Sequence, residues 1–125
     1  MIQDIKTYTL NNGLRIVHQQ SDDEVVYCGF QIAAGTRHEQ PGEEGLAHFV
    51  EHTTFKGTQR HNALQIIRTL ERVGGELNAY TNKEETVFYA ACLREDLPLA
   101  LDLLNDIVFH SIYPDQEVEK EKEVI

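Results

Sequence analysis

One stretch of the sequence decides both the fold and the chemistry: Gly45-Leu46-Ala47-His48-Phe49-Val50-Glu51-His52. Each residue of an α-helix turns by about 100°, so His48 and His52 project from one face, one turn apart, and Glu51 lies on the same face. Zinc binds neutral imidazole nitrogens, and a nearby carboxylate can take the proton of a zinc-activated water. The spacing therefore predicts a helix that presents two zinc ligands and a general base.

The same pattern has a plainer interpretation. On a half-apolar helix that also carries Leu46, Phe49 and Val50, the two histidines could form a solvated polar edge or hydrogen-bonded core positions. The H-x-x-E-H pattern has two free positions in five and recurs by chance. The segments that flank the motif have to decide between the two interpretations.

The flanking segments extend the motif over most of the chain. An alternating stretch through residues 25–34 ends in G-x-R-x-E at Gly35, and the helix motif continues into F-K-G-T at Phe55. G-G-x-x-N-A-x-T follows at Gly74, and T-x-F-Y follows at Thr86. In this combination the chain resembles the pitrilysin-type zinc metallopeptidases, or inverzincins, which include insulin-degrading enzyme (insulinase) and the mitochondrial processing peptidase.

The resemblance implies roles for individual residues. His48 and His52 resemble the two zinc-binding histidines, Glu51 resembles the general base, and Glu121 resembles a glutamate that supports the site from a later helix. The family's third zinc ligand is a glutamate about seven residues further on, near position 128. Residues 1–125 are therefore expected to be the N-terminal part of a single metallopeptidase domain, inactive alone, in which only Glu121 could substitute for that ligand.

The resemblance also implies where a substrate binds. In the family, the strand that corresponds to Asn78, Ala79, Tyr80 and Thr81 lies at the edge of the active-site cleft, and the substrate pairs with it as an added strand. The unpaired N–H and C=O groups of a sheet edge hold an extended peptide in this way. The alternative for Asn78 is an amide that bonds its own backbone at a turn or strand start.

Hydrophobic periodicity predicts an α+β fold with a mixed or antiparallel sheet layered with helices, which in the family is an incomplete half of a pitrilysin-type domain. The predicted strands are residues 5–9, 14–19, 25–34, 76–81 and 85–93, with a hairpin turn at residues 11–13. Besides the histidine helix, the predicted helices are residues 62–73, one capped by Asp96 and one opened by Pro114. The residues expected to face the core from two of these helices are Leu64, Ile67, Leu70, Leu97, Leu101, Leu104 and Val108.

Composition narrows the possible partners. The net charge is −10 and the pI is about 4.9, which argues against binding to nucleic acid or an anionic membrane surface. No segment has the run of about 18 apolar residues that a membrane span needs. The first four residues lack the basic start of a signal peptide, so we predict a cytoplasmic protein, or a periplasmic one if a signal has been removed. Cys28 and Cys92 are predicted to be buried free thiols.

These observations predict a zinc-dependent endopeptidase that acts on peptides or small proteins. Its working form would need the missing C-terminal half, or a partner subunit of the same family. Two alternatives remain: a non-catalytic structural or partner subunit, of the kind the family supplies to respiratory complexes, and a peptide-binding module that keeps the edge strand without the metal. Non-catalytic relatives typically lose part of the signature, and the presence of His48, Glu51 and His52 favours the enzyme.

Overall fold

The computed structural model describes residues 5–124 of the chain. Its strands and helices, in chain order, are β1 (Ile5–Thr9), β2 (Arg15–Gln19), β3 (Val25–Ile32), α1 (Leu46–Thr54), α2 (Ala63–Glu71), β4 (Glu76–Thr81), β5 (Thr86–Leu93), α3 (Leu97–His110) and α4 (Asp115–Val124). Short 3-10 turns occupy Thr36–His38 and Arg94–Asp96. Every helix in this range is too short or too polar to cross a membrane.

The strands form two antiparallel sheets. β1 pairs with β2 as a hairpin, and the second sheet has the order β3-β5-β4. The predicted α+β fold is confirmed, and all strand pairs of the described residues are antiparallel. Because β5 pairs with β3 on one side and with β4 on the other, β4 lies at an edge of its sheet, as predicted.

The hairpin turn has the conformation that its sequence predicts. Asn12 Oδ1 accepts a hydrogen bond from Leu14 N at 3.0 Å. Gly13 has a φ of +91°, in the left-handed region where glycine is favoured. β2 begins at Arg15, one residue later than predicted, because the backbone N–H of Leu14 belongs to the turn.

The core forms where α2 and α3 pack on the second sheet. Alternate residues of β5 are buried, which is the period-2 pattern of a strand with one face toward the core. The buried apolar residues come from α2, β5 and α3: Ile66, Leu70, Phe88, Ala90, Cys92, Ala100, Leu103, Leu104 and Ile107.

The inner faces of two helices differ from the prediction. On α2, Leu64 and Ile67 are 53% and 50% exposed, whereas Leu70 is buried as predicted. On α3, Leu101 is 43% exposed, whereas Leu104 is buried as predicted. Both helices carry more apolar residues than one inward stripe can hold. Several sets of apolar residues with i, i+3 and i+4 spacing then fit each helix equally well. Hydrophobic periodicity alone does not identify which set is buried.

Both cysteines are free, as predicted, but only Cys92 is fully buried, and Cys28 on β3 is half-buried. Burial raises the pKa of the Cys28 thiol to about 11, and the neighbouring Cys92 contributes to the shift. Burial also raises the pKa of Cys92. Both thiols are therefore protonated at neutral pH.

The loop between β3 and α1 is bonded to the turn between β4 and β5. Thr36 N donates to Asn82 O, and Arg37 N donates to Lys83 O, both at 3.0 Å. Gly35 permits this close approach, because a Cβ at its position would lie 2.2 Å from Asn82 O. The glycine of the G-x-R-x-E segment thus holds the chain that leads into α1 against the sheet.

A buried carboxylate connects the segment after α1 to α3. Asp106 is 1% exposed, and its Oδ2 accepts a hydrogen bond from Thr58 Oγ1 at 2.5 Å. His61 Nδ1 lies 2.9 Å from the same oxygen and donates in the tautomer that carries the proton there. Burial alone would raise the pKa of Asp106, but the bonds from Thr58 and His61 favour the charged form and hold its pKa below the ordinary value.

We expect Thr58→Val to lower the free energy of unfolding by about 2 kcal/mol at neutral pH, because a hydrogen bond to a buried charge is lost. Urea unfolding measures the change. Asp102→Asn is the matched control, since Asp102 lies one turn before Asp106 and pairs with Arg60 at the surface, 53% exposed. Equal losses in the two variants would contradict the assigned importance of the buried pair.

The lowered pKa of Asp106 also gives a pH dependence. A carboxyl group with a depressed folded-state pKa stabilises the fold fully above its unfolded pKa of about 3.9, and this stabilisation is lost as the pH falls through the folded pKa. The stability advantage of the natural chain over Asp106→Asn should therefore be largest at neutral pH and shrink below about pH 4. Thermal unfolding of both proteins across this range measures it, and an advantage that grew on acidification would show that the pKa is raised.

Candidate metal centre

The helix that carries the histidines is capped at its N-terminus by a residue that lies outside the helix. α1 follows Gly45, which has a φ of +88° and offers no side chain to bond the first turn. Glu39 fills this role, because its Oε2 accepts a hydrogen bond from Ala47 N at 2.8 Å. A carboxylate at this position satisfies a free N–H group and interacts favourably with the positive end of the helix dipole. The start of α1 is therefore fixed by the loop that precedes it.

The two histidines lie next to each other on α1. The ring centroids of His48 and His52 are 5.5 Å apart and their planes are inclined by 36°. His48 is exposed, and the side chain of His52 is 39% exposed. Two accessible imidazoles this close fit zinc, which prefers nitrogen and sulfur ligands, better than the oxygen-seeking ions magnesium and calcium. Within residues 5–124, no group of three or more His, Cys, Asp or Glu side chains is arranged to hold a metal ion.

Glu121 of α4 lies behind the second histidine. Its Oε2 is 3.3 Å from His52 Nδ1, and its Oε1 is 3.3 Å from Lys56 Nζ. The residue is only 8% exposed, and Oε2 has no hydrogen-bond donor among the described residues. A carboxylate beside Nδ1 orients an imidazole and leaves Nε2 free for a metal. The buried, under-bonded oxygen facing His52 is what a supporting carboxylate of a metal site would present.

Glu51 is held by the edge strand. Thr81, the last residue of β4, donates its hydroxyl hydrogen to Glu51 Oε2. Both side chains are half-buried. This contact joins the carboxylate predicted to act as a base to the strand predicted to bind substrate, although the two residues are 30 positions apart in the sequence.

The other residues of the predicted substrate strand have different environments. Asn78 is exposed, and its Oδ1 accepts a hydrogen bond from Ala79 N at 2.9 Å, which is the backbone-bonding alternative considered for it. Tyr80 is 46% exposed and packs edge-on against Tyr89 at 6.2 Å between centroids. Side chains alternate across a strand, so Asn78 and Tyr80 project from the face opposite Thr81. Of the four residues predicted to bind substrate, Thr81 is the one that contacts Glu51.

Three contacts of the site were not predicted from the sequence. Lys56 lies four residues after His52, as His52 does after His48. This spacing could have predicted that Lys56 lies beside the site. The cap from Glu39 and the bond from Thr81 carry no comparable local signal, because each joins segments that only the fold brings together.

Comparison with known proteins points to one protein family. Residues 15–125 match the family model described as Insulinase (Peptidase family M16). A zinc protease of Bacillus subtilis, YmxG, is 44% identical over 97% of this chain and 30% of its own length. The β subunit of the rat mitochondrial processing peptidase is 41% identical over 93% of this chain and 24% of its own length.

Two further comparisons extend the range of relatives. Subunit 1 of the bovine mitochondrial cytochrome b-c1 complex is 40% identical over 93% of this chain and 24% of its own length. The crystal structure of a protease from Helicobacter pylori superimposes with a TM-score of 0.94 at 26% identity, over 99% of this chain and 30% of that chain. The chain thus spans about a quarter to a third of the length of these relatives. The predicted resemblance is confirmed, and the chain belongs to the insulinase family of peptidases, peptidase family M16.

Proposed function

We propose that the protein containing this chain is a zinc-dependent endopeptidase in which His48 and His52 are metal ligands and Glu51 is the general base. One observation carries the proposal: two accessible imidazoles lie 5.5 Å apart on the same helix as a carboxylate that accepts a hydrogen bond from Thr81. Membership of a peptidase family supports the reaction class, and the similarity to a protein named as a zinc protease supports the metal.

The residues around the metal have separate tasks. His48 and His52 bind zinc through ring nitrogens, and Glu121 orients His52 from behind. Zinc, when bound, supplies a Lewis acid that polarises a peptide carbonyl and makes a water more acidic. The third ligand predicted near position 128 lies outside the sequence and stays a prediction.

Glu51 performs the proton transfers. Its carboxylate accepts a proton from the attacking water and later gives it to the leaving amine, so that one group serves as base and then as acid. A base in this role has to be within hydrogen-bond reach of the water while remaining off the metal. The bond from Thr81 restrains Glu51 Oε2 and leaves Oε1 to accept the proton.

The substrate binds as an extended peptide along β4. This strand is an edge of its sheet, and its last residue contacts Glu51. Backbone hydrogen bonds to a free sheet edge hold any extended segment, which suits peptides and unstructured parts of small proteins. We further propose that the site is completed by the rest of the polypeptide or by a partner subunit of the same family.

A non-catalytic subunit is the second candidate. The observation in its favour is the 40% identity to subunit 1 of the cytochrome b-c1 complex, nearly the value found for the processing peptidase subunit. The complete set of His48, Glu51 and His52 favours the enzyme. The cytoplasmic location stays a prediction from the first residues of the sequence, and the absence of nucleic-acid partners stays a prediction from the net charge.

We expect Glu51→Gln to abolish peptide cleavage while zinc stays bound, because the carboxylate acts as a base and not as a ligand. A fluorogenic peptide assay beside elemental analysis of the purified protein measures both properties. Glu119→Gln is the matched control, since this carboxylate on α4 is 70% exposed and pairs with Lys122 at the surface. If zinc were lost with Glu51→Gln, the residue would be a ligand, and if cleavage continued, it would not be the base.

We expect a bound peptide to slow amide hydrogen exchange in β4, because its backbone N–H groups become hydrogen-bonded at the free edge. Exchange measured on Glu51→Gln with and without peptide avoids turnover during the experiment. β3 is the internal control, since it is the other outer strand of the same sheet and should keep its exchange rates. Protection confined to β3, or absent from β4, would place the peptide elsewhere.

A further inference from the structure

We propose that Thr81 is a positioning residue for the general base: its hydroxyl fixes the orientation of the Glu51 carboxylate. The inference rests on the proposed function and deepens it. The family resemblance assigned Thr81 to substrate binding, whereas the geometry points to an action through Glu51.

The direction of the hydrogen bond follows from the surrounding donors and acceptors. The Thr81 hydroxyl has one hydrogen and two oxygen neighbours, Glu51 Oε2 and Thr86 Oγ1, the latter at 3.5 Å. Thr86 donates its own hydrogen to Ala34 O at 2.8 Å. A carboxylate is the stronger acceptor and lies closer, so Thr81 donates to Glu51.

Glu51 has little else to hold it. Within residues 5–124, the Thr81 hydroxyl is the only hydrogen-bond donor to its carboxylate, and no Lys, Arg or His of that range forms an ion pair with it. A glutamate side chain has three rotatable bonds and loses substantial rotamer entropy when it is fixed in one position. Removal of the hydroxyl therefore frees the carboxylate to leave the position from which it takes a proton.

The anchor of this bond is itself rigid. Thr81 pairs with Thr86 in the register of β4 and β5, and Thr86 is buried with its hydroxyl bonded to the backbone beyond β3. Thr81 is also the last residue of the proposed peptide-binding strand. The base is therefore oriented by a residue of the same strand that is proposed to bind the peptide.

The first test compares Thr81→Val with Thr81→Ser in the protein that contains this chain. Valine keeps the shape of threonine without the hydroxyl, and we expect kcat to fall by about 10- to 100-fold with KM unchanged, because small misplacements of a catalytic group have effects of this size. Serine keeps the hydroxyl and should retain most of kcat. Thr69→Val is the matched control: it makes the same substitution on α2, where the threonine hydroxyl donates to Gln65 O, so it should leave kcat unchanged.

The second test needs no turnover. Thr81→Val, Glu51→Ala and the double variant form a double-mutant cycle in thermal unfolding of the metal-free form of the protein that contains this chain. If the hydroxyl and the carboxylate interact, the changes in unfolding temperature will not be additive. Zinc affinity, measured by competition with a chelator, should be the same in Thr81→Val as in the natural chain, because Glu51 is not a ligand.

The outcomes separate this inference from the function on which it rests. An unchanged kcat in Thr81→Val, an equal loss in Thr81→Ser, or additive unfolding shifts would overturn the positioning role. A raised KM with an unchanged kcat would also overturn it and return Thr81 to substrate binding. If the unsubstituted protein showed no zinc-dependent cleavage, the proposed function would fail, and the positioning role would fail with it.

Discussion

The buried charge of Asp106 is the interaction on which the geometry around α1 depends. α1 has only nine residues, and a helix of that length is not stable in water by itself. Its far end continues into the segment of Thr58 and His61, which both contact Asp106. Asp106 is only 1% exposed, so removal of either partner would leave a buried charge without a hydrogen bond at a large cost in free energy. This segment therefore has one position relative to α3. Glu39 restrains the opposite end, so α1 is held between two carboxylates that belong to other parts of the chain.

The site combines side chains from three elements around that helix. α1 contributes the histidines and Glu51, α4 contributes Glu121, and β4 contributes Thr81. The nearly buried carboxylate of Glu121 lies between Lys56 and His52, 3.3 Å from a side-chain nitrogen of each. Ion pairs of this kind add little net stability, since desolvation offsets much of the attraction, but they fix orientation. His52 is therefore contacted by the carboxylate of Glu121, whereas Glu51 is contacted by the neutral hydroxyl of Thr81.

Local patterns predicted what depends on local geometry. The i, i+4 spacing of His48 and His52 gave their common face, and Asn12 with Gly13 gave the hairpin turn. The prediction of the inner faces of α2 and α3 was wrong at Leu64, Ile67 and Leu101. Two or more apolar stripes fit the same sequence, and only the tertiary contacts select one of them. Contacts such as Thr81 with Glu51 join segments far apart in sequence, and no periodicity encodes which hydroxyl reaches which carboxylate.

The raised pKa of Cys28 has a consequence for metal selectivity and redox chemistry. With a pKa of about 11, roughly one molecule in ten thousand carries the thiolate at pH 7, and the thiolate is the form that binds metals and attacks disulfides. Cys92 is shifted in the same direction. A metal ion or a peroxide therefore reacts less readily with these sulfur atoms, because each thiol first has to lose its proton. The two sulfur atoms therefore behave as apolar packing groups.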